Sequence, residues 1–153
     1  MKKVISILVV AFILIAGFLN SSCTKDNDLN DNLTQDLIES SIESGSWIIT
    51  QFEESGKDET HHFSGYSFSF GSDGKLTAEN GTNNYEGTWS ITDSESSDDS
   101  QDDLDFNIHF NLSNDFEDLN DDWDFVSHSD IKIELIDVSG GNGGIDYLTF
   151  ERN

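Results

Sequence analysis

The sequence predicts an all-β fold: an eight-stranded up-and-down antiparallel barrel with one N-terminal amphipathic helix. Three observations carry this. From Trp47 onward, apolar residues recur at every second position, as in Tyr66, Phe68 and Phe70, and in Leu104, Phe106, Ile108, Phe110 and Leu112. Turn signals cut that pattern into short pieces: Gly71-Ser72-Asp73-Gly74, Glu79-Asn80-Gly81 and Gly140-Gly141-Asn142-Gly143-Gly144. Before Trp47 the apolar spacing is helical instead. A period of two gives each strand one dry and one wet face. Many such strands with short links close into a barrel or stack as a β-sandwich, which is the alternative solution.

The chain has 153 residues, which allows one folded domain. It divides into a leader over residues 1–22, a tether and short helix over 23–44, and a β domain over 45–153. Lys2 and Lys3 precede an apolar run, Val4 to Leu19, and small polar residues follow. That order is a secretory signal. The run is shorter than the roughly 20 residues a permanent spanning helix needs. Cys23, the only cysteine, stands just past it. One cysteine excludes an internal disulfide.

Leu19-Asn20-Ser21-Ser22-Cys23 resembles the loose lipobox of Bacteroidota-type lipoproteins, with Leu19 four places before the cysteine where the strict form has three. The resemblance implies cleavage after Ser22 and acylation of Cys23. Thr24-Lys25-Asp26-Asn27-Asp28 resembles the short Lys-then-acidic signal that sends such lipoproteins to the outer face of the outer membrane. The expected place is therefore the bacterial outer membrane, at the cell surface, held through acyl chains on Cys23.

In the tether, Asp26, Asp28 and Asn30 imitate the start of an EF-hand loop, but Asp31 stands where glycine is needed and Leu37 where the closing glutamate is needed. The stretch reads as a polar stalk. Asn32 with Gln35 marks a helix start. Leu33, Leu37, Ile38 and Ile42 fall on one helical face, and Gly45 ends the pattern.

Strands are expected at about 46–54, 60–70, 75–80, 86–92, 103–112, 123–128, 130–138 and 145–151, with a helical turn in 114–120 that points Phe116 and Leu119 inward. The inward set is Trp47, Tyr66, Phe68, Phe70, Trp89, Phe106, Ile108, Phe110, Ile133, Leu135 and Phe150. Gly45-Ser46-Trp47 opens the first strand, Gly87-Thr88-Trp89 repeats the motif, and Arg152 follows the last strand. Together with Phe68-Ser69-Phe70-Gly71-Ser72-Asp73-Gly74 and Tyr147-Leu148-Thr149-Phe150, this order resembles the short bacterial lipocalin-like (calycin-type) domains found on lipoproteins. The resemblance spans residues 45–153 and implies a barrel in which a basic residue from the end of the chain covers the Gly-x-Trp tryptophan. The middle lipocalin motif, Thr-Asp-Tyr, is absent, which keeps the sandwich open.

Lys plus Arg is 7 and Asp plus Glu is 31, for a net charge of −24. Loss of residues 1–22 would remove Lys2 and Lys3 and no acid. Such a surface repels nucleic-acid phosphates and stays compatible with cations. The acidic stretch from Asp93 to Asp105 contains weak calcium candidates, Asp98, Asp99, Asp102 and Asp103, without the glycine-pinned geometry of a tight site. His61 and His62 fall in the strand expected over 60–70, where neighbours face opposite ways, so no shared metal is expected. No nucleophile elbow, phosphate loop or Cys-His pairing marks an enzyme, and no cofactor is implied.

An eight-stranded barrel has room for side chains or for one small ligand. The inward residues are large here, so the expected function is a filled barrel serving as a surface interaction or structural module. The alternative is lipocalin-like binding of a small apolar or amphipathic ligand. Acylation carries a direct test. The mature protein should partition into detergent and gain the mass of its acyl chains, and Cys23→Ala should lose both. An unmodified, soluble wild type would remove the anchor.

Overall fold

A computed structural model describes residues 27–93, 104–138 and 144–153. Cys23 and the acidic residues Asp98, Asp99, Asp102 and Asp103 lie outside the described residues. The chain runs through helix α1 (Asn27–Glu43), strand β1 (Trp47–Glu54), the two-residue strand β2 (Lys57–Asp58) and a 3-10 helix, η1 (Thr60–Phe63). Strands β3 (Ser67–Phe70), β4 (Lys75–Glu79), β5 (Asn84–Asp93) and β6 (Leu104–Phe110) follow. A second 3-10 helix, η2 (Asp115–Leu119), leads into β7 (Asp121–Ser129), β8 (Lys132–Val138) and β9 (Ile145–Arg152).

The sheet order is β2-β1-β3-β4-β5-β6-β7-β8-β9, and β1 also pairs with β9. That last pairing closes an eight-stranded antiparallel barrel from β1 and β3 to β9, and β2 is a short hairpin arm on β1. Closure removes the free sheet edges. The sandwich alternative is thereby set aside.

Two bulges adjust the alternation. In β1 the register against β9 shifts between Ile49 and Gln51. Inward positions therefore run Trp47, Ile49, Phe52, with two exposed residues between the last pair. In β7 the shift lies between Phe125 and Ser127, and Val126 turns out to solvent. An extra residue in a bulge resets which side chain faces the core.

Every residue of the expected inward set is buried, as are Phe116 and Leu119 on η2. Rings fill the interior largely edge to face. Phe150 meets Phe68 at 5.4 Å and Phe70 at 5.5 Å between centroids. Phe70 meets Trp89 at 5.3 Å and Phe106 at 5.5 Å. Such pairs add about 0.5–1.5 kcal/mol beyond the area they bury.

Four local expectations differ. Residues 60–66 are not strand: Thr60–Phe63 form η1, and only Ser67–Phe70 pair as β3. Leu37 is exposed, and the helix docks through Ile42 and Ile38 instead. These two are four apart and share a stripe, whereas Leu37 stands about a quarter turn away. The strand expected over 130–138 starts at Lys132, because the chain turns at Asp130 and Ile131, and Ile131 is exposed there. The helix also begins earlier than its expected cap, at Asn27.

The helix closes the barrel through one cation. Its last turn carries no basic residue to meet the free carbonyls of its C-terminus. Arg152, from the far end of the chain, supplies the charge. Its Nη2 donates to Ser41 O at 3.0 Å, Nη1 to Ser44 O at 3.2 Å and Nε to Asp130 O at 2.6 Å. The guanidinium lies 4.8 Å from the centroid of Trp47, which is fully buried and donates its indole N–H to Ile42 O at 2.9 Å. A Cβ on Gly45 would fall 2.8 Å from Arg152 Cζ, so only glycine leaves room for the arginine. Arg152→Ala should lower stability by about 2–4 kcal/mol, from the lost cation–π contact and charged hydrogen bonds. Arg152→Lys should recover less than half, since an ammonium cannot reproduce the fork. Urea unfolding followed by tryptophan emission reads both; an unchanged midpoint for Arg152→Ala would refute this account.

Candidate functional site

The up-and-down topology sorts side chains between two ends. Helix α1, the β3–β4 turn, the β7–β8 turn and Arg152 share one end. The β1–β2 hairpin, η1, the β4–β5 turn and η2 share the other. Gly45, Trp47 and Arg152 meet at the helix end. Gly87 and Trp89 act in the barrel wall. A Cβ on Gly87 would fall 2.8 Å from Phe110 Cδ1, so the glycine accommodates that ring. Trp89 donates its indole N–H to Gly71 O at 2.9 Å and ties the β3–β4 turn to β5. These five residues build the structure around the core.

The other end holds polar chemistry. After β1 the chain turns through Ser55 and Gly56 and returns as β2, with Glu53 opposite Asp58. Asp58 Oδ1 accepts from Thr60 N at 3.0 Å and starts η1. The Thr60 hydroxyl accepts from Phe52 N at 2.8 Å and donates to Phe52 O at 3.3 Å. Glu59 N also donates to Phe52 O, at 2.9 Å. These bonds fasten η1 to β1 on both sides of Glu59.

Phe63 anchors the same turn from inside, edge-on to Phe52 and to Phe116, each at 5.3 Å. Phe116 belongs to η2, whose start is capped by Asn114 Oδ1 accepting from Phe116 N at 3.2 Å. The Phe63–Phe116 contact therefore brings η1 and η2 together. It sets Asp115 beside His62.

Glu59, His61 and His62 can each present one ligand atom with all three within 4.8 Å of one another. His62 Nε2 is 3.6 Å and His61 Nδ1 is 4.0 Å from Glu59 Oε2. His62 Nδ1 is buried without a hydrogen-bond partner, 3.6 Å from Asp115 Oδ1. Glu59 is 7% exposed, and its other oxygen is paired with Lys57. The hydrogen-bonded Lys57 ammonium holds the Glu59 carboxyl below its usual range. The expectation that His61 and His62 face apart fails because the backbone is a 3-10 turn, which does not alternate as a strand does. One sequence signal pointed that way: inward Phe63 and Tyr66 are three apart, which breaks the period of two.

More carboxylates crowd this rim. Glu54 is raised by partial burial and by Asp118, Asp146 and Glu59 nearby. Asp118 is raised by partial burial and by Asp115 and Glu117. Asp121, at the start of β7, is pushed up to about 6 by burial, then by its hydrogen bond with Asp122 and the neighbouring charge of Asp137. The remaining histidines stand elsewhere. His109 is exposed on β6. His128 Nε2 shares a hydrogen bond with Ser41 Oγ at 3.2 Å, and burial lowers its pKa.

Asp121 gives a pH prediction. A carboxyl whose folded pKa exceeds its unfolded value binds its proton better in the folded state. Its contribution is present below the unfolded value near 3.8 and is lost as pH rises through about 6. Asp121→Asn should raise the thermal midpoint at pH 7 and flatten the fall in stability between about pH 4 and 6. A variant with the wild-type profile would show that Asp121 ionises normally.

One solved structure is similar: a DUF4847 family protein from Bacteroides vulgatus, with a TM-score of 0.50 and 19% sequence identity. The match covers 76% of this chain and 97% of that one. At that identity the likeness is one of fold. No protein-family model matches the chain, and no curated protein does.

Proposed function

We propose that this chain is a lipid-anchored protein of the bacterial outer membrane, exposed at the cell surface, whose filled barrel works through its outer surface as an interaction or structural module. It performs no catalysis and carries no nucleic acid. The observation that supports this most is the packing of the barrel axis. Rings from β3, β5, β6 and β9 meet edge to face where a lipocalin would hold its ligand. A drug-sized ligand needs roughly 300 Å³ or more, which such packing leaves to side chains.

The calycin-type resemblance stands on Gly45-Ser46-Trp47 and on the guanidinium of Arg152 over Trp47. It concerns how the barrel closes and carries no ligand with it. The anchor rests on Cys23 and the leader before it. One acyl chain holds a protein at a membrane only marginally, and two or more hold it stably. The acidic surface makes nucleic acid an unsuitable partner.

The rival is a lipocalin-like carrier of a small apolar or amphipathic ligand. Organic extraction of the purified native protein, followed by mass spectrometry, separates the two. We expect no stoichiometric small molecule beyond the covalent acyl chains. A lipid or other apolar compound recovered at one per chain would refute the filled-barrel reading and establish the carrier.

A further inference from the structure

We propose that Glu59, His61 and His62 form a binding site for one transition-metal ion of the zinc class, with Asp115 orienting His62 from behind. This goes beyond the role of the barrel as an interaction module and does not depend on the anchor.

The separations leave room for an ion among the three ligand atoms. Distances of 3.6 and 4.0 Å from Glu59 Oε2 to His62 Nε2 and His61 Nδ1 are too long for strong hydrogen bonds. Bonds of about 2.0–2.1 Å around a tetrahedral ion put neighbouring ligand atoms roughly 3.3 Å apart. Small side-chain movements close the difference. Lys57 holds Oε1 of Glu59 and leaves Oε2 turned toward the two imidazoles.

His62 shows the arrangement most clearly. Its buried Nδ1 lacks a partner and faces Asp115 Oδ1 at 3.6 Å. A proton on Nδ1, drawn to that carboxylate, leaves the lone pair on Nε2, which stands 3.6 Å from Glu59 Oε2. Two acceptor atoms are then close neighbours, and an ion between them relieves the repulsion. Carboxylate–histidine–metal geometry of this kind fixes the tautomer and raises the basicity of the ligand.

The ligand set selects the metal. Two imidazoles and one carboxylate suit zinc and its neighbours in the first transition row. Calcium takes six to eight oxygens and gains little from imidazole. Three protein ligands leave one position of a tetrahedral ion for water or a small anion. The framework is in place before binding, because Thr60 and Phe63 already fasten η1. The surrounding acids raise the local concentration of cations.

Isothermal titration of the purified mature protein with zinc chloride, against a competing chelator, tests the site. The wild type should take one zinc per chain saturably. His61→Ala should weaken binding at least tenfold, a loss typical of damaged coordination shells. The His61 side chain is 71% exposed, so this variant should keep its metal-free thermal midpoint. Glu59→Gln should lose as much, and Asp115→Asn should lose less. Calcium or magnesium at equal ionic strength should not displace the zinc. Zinc bound equally by wild type and His61→Ala would overturn the site, as would non-saturable uptake or displacement by calcium.

Discussion

The fold depends on one cation placed where the two ends of the chain meet. Trp47 and Arg152 are directly paired across β1 and β9, the pairing that closes the barrel. The same arginine spans the C-terminal carbonyls of α1 and the face of Trp47. Barrel closure, helix docking and burial of Trp47 thus share a single group. A lysine would offer the charge without the plane. A larger residue than glycine at position 45 would displace it. In a chain with 31 acidic and 7 basic residues, one arginine held by carbonyl oxygens in place of carboxylates is notable. Its hydrogen bonds go to backbone carbonyls at the end of the helix and in the β7–β8 turn.

Packing at the opposite end serves placement. Phe63 on η1 and Phe116 on η2 both point inward, and their edge-to-face contact joins segments from distant parts of the chain. The polar neighbours of those rings, His62 and Asp115, are carried together as a consequence. Thr60 repeats the device at shorter range through its two-way bond to Phe52. A core that sets the position of surface groups is more exacting than one that only excludes water, since edge-to-face pairs have preferred geometry.

The barrel was legible in the sequence because its signal is local. Period two is visible within any five residues, as in Leu104 to Phe110, and inward residues follow from it directly. The Gly-x-Trp motif and Arg152 added the closure. The histidine cluster was not legible for two reasons. The stretch from Thr60 to Tyr66 leads through Phe63 and Tyr66 into the alternating run of β3, so a strand could be drawn through it, and the three-residue step from Phe63 to Tyr66 and the Ser64-Gly65 pair are what betray a turn. The approach of Asp115 to His62 depends on tertiary packing of rings, which no local pattern encodes. Leu37 failed differently: helical periodicity marks a face, and the neighbouring element decides how wide a stripe is covered.

The distribution of charge follows from that division. An even number of alternating strands returns the chain to its starting end, so α1 and Arg152 can meet and the polar turns collect opposite them. Carboxylates placed there pay with raised pKa values, as at Glu54, Asp118 and Asp121. Crowding of this kind is a standing cost in stability at neutral pH. A cation that neutralises part of the rim offsets it, and does so only in the folded chain, because the ligands converge only there. Folding and ion binding at this end are therefore linked: whatever cation the rim accepts must stabilise the fold in proportion to how selectively it binds the assembled ligands over the separate ones.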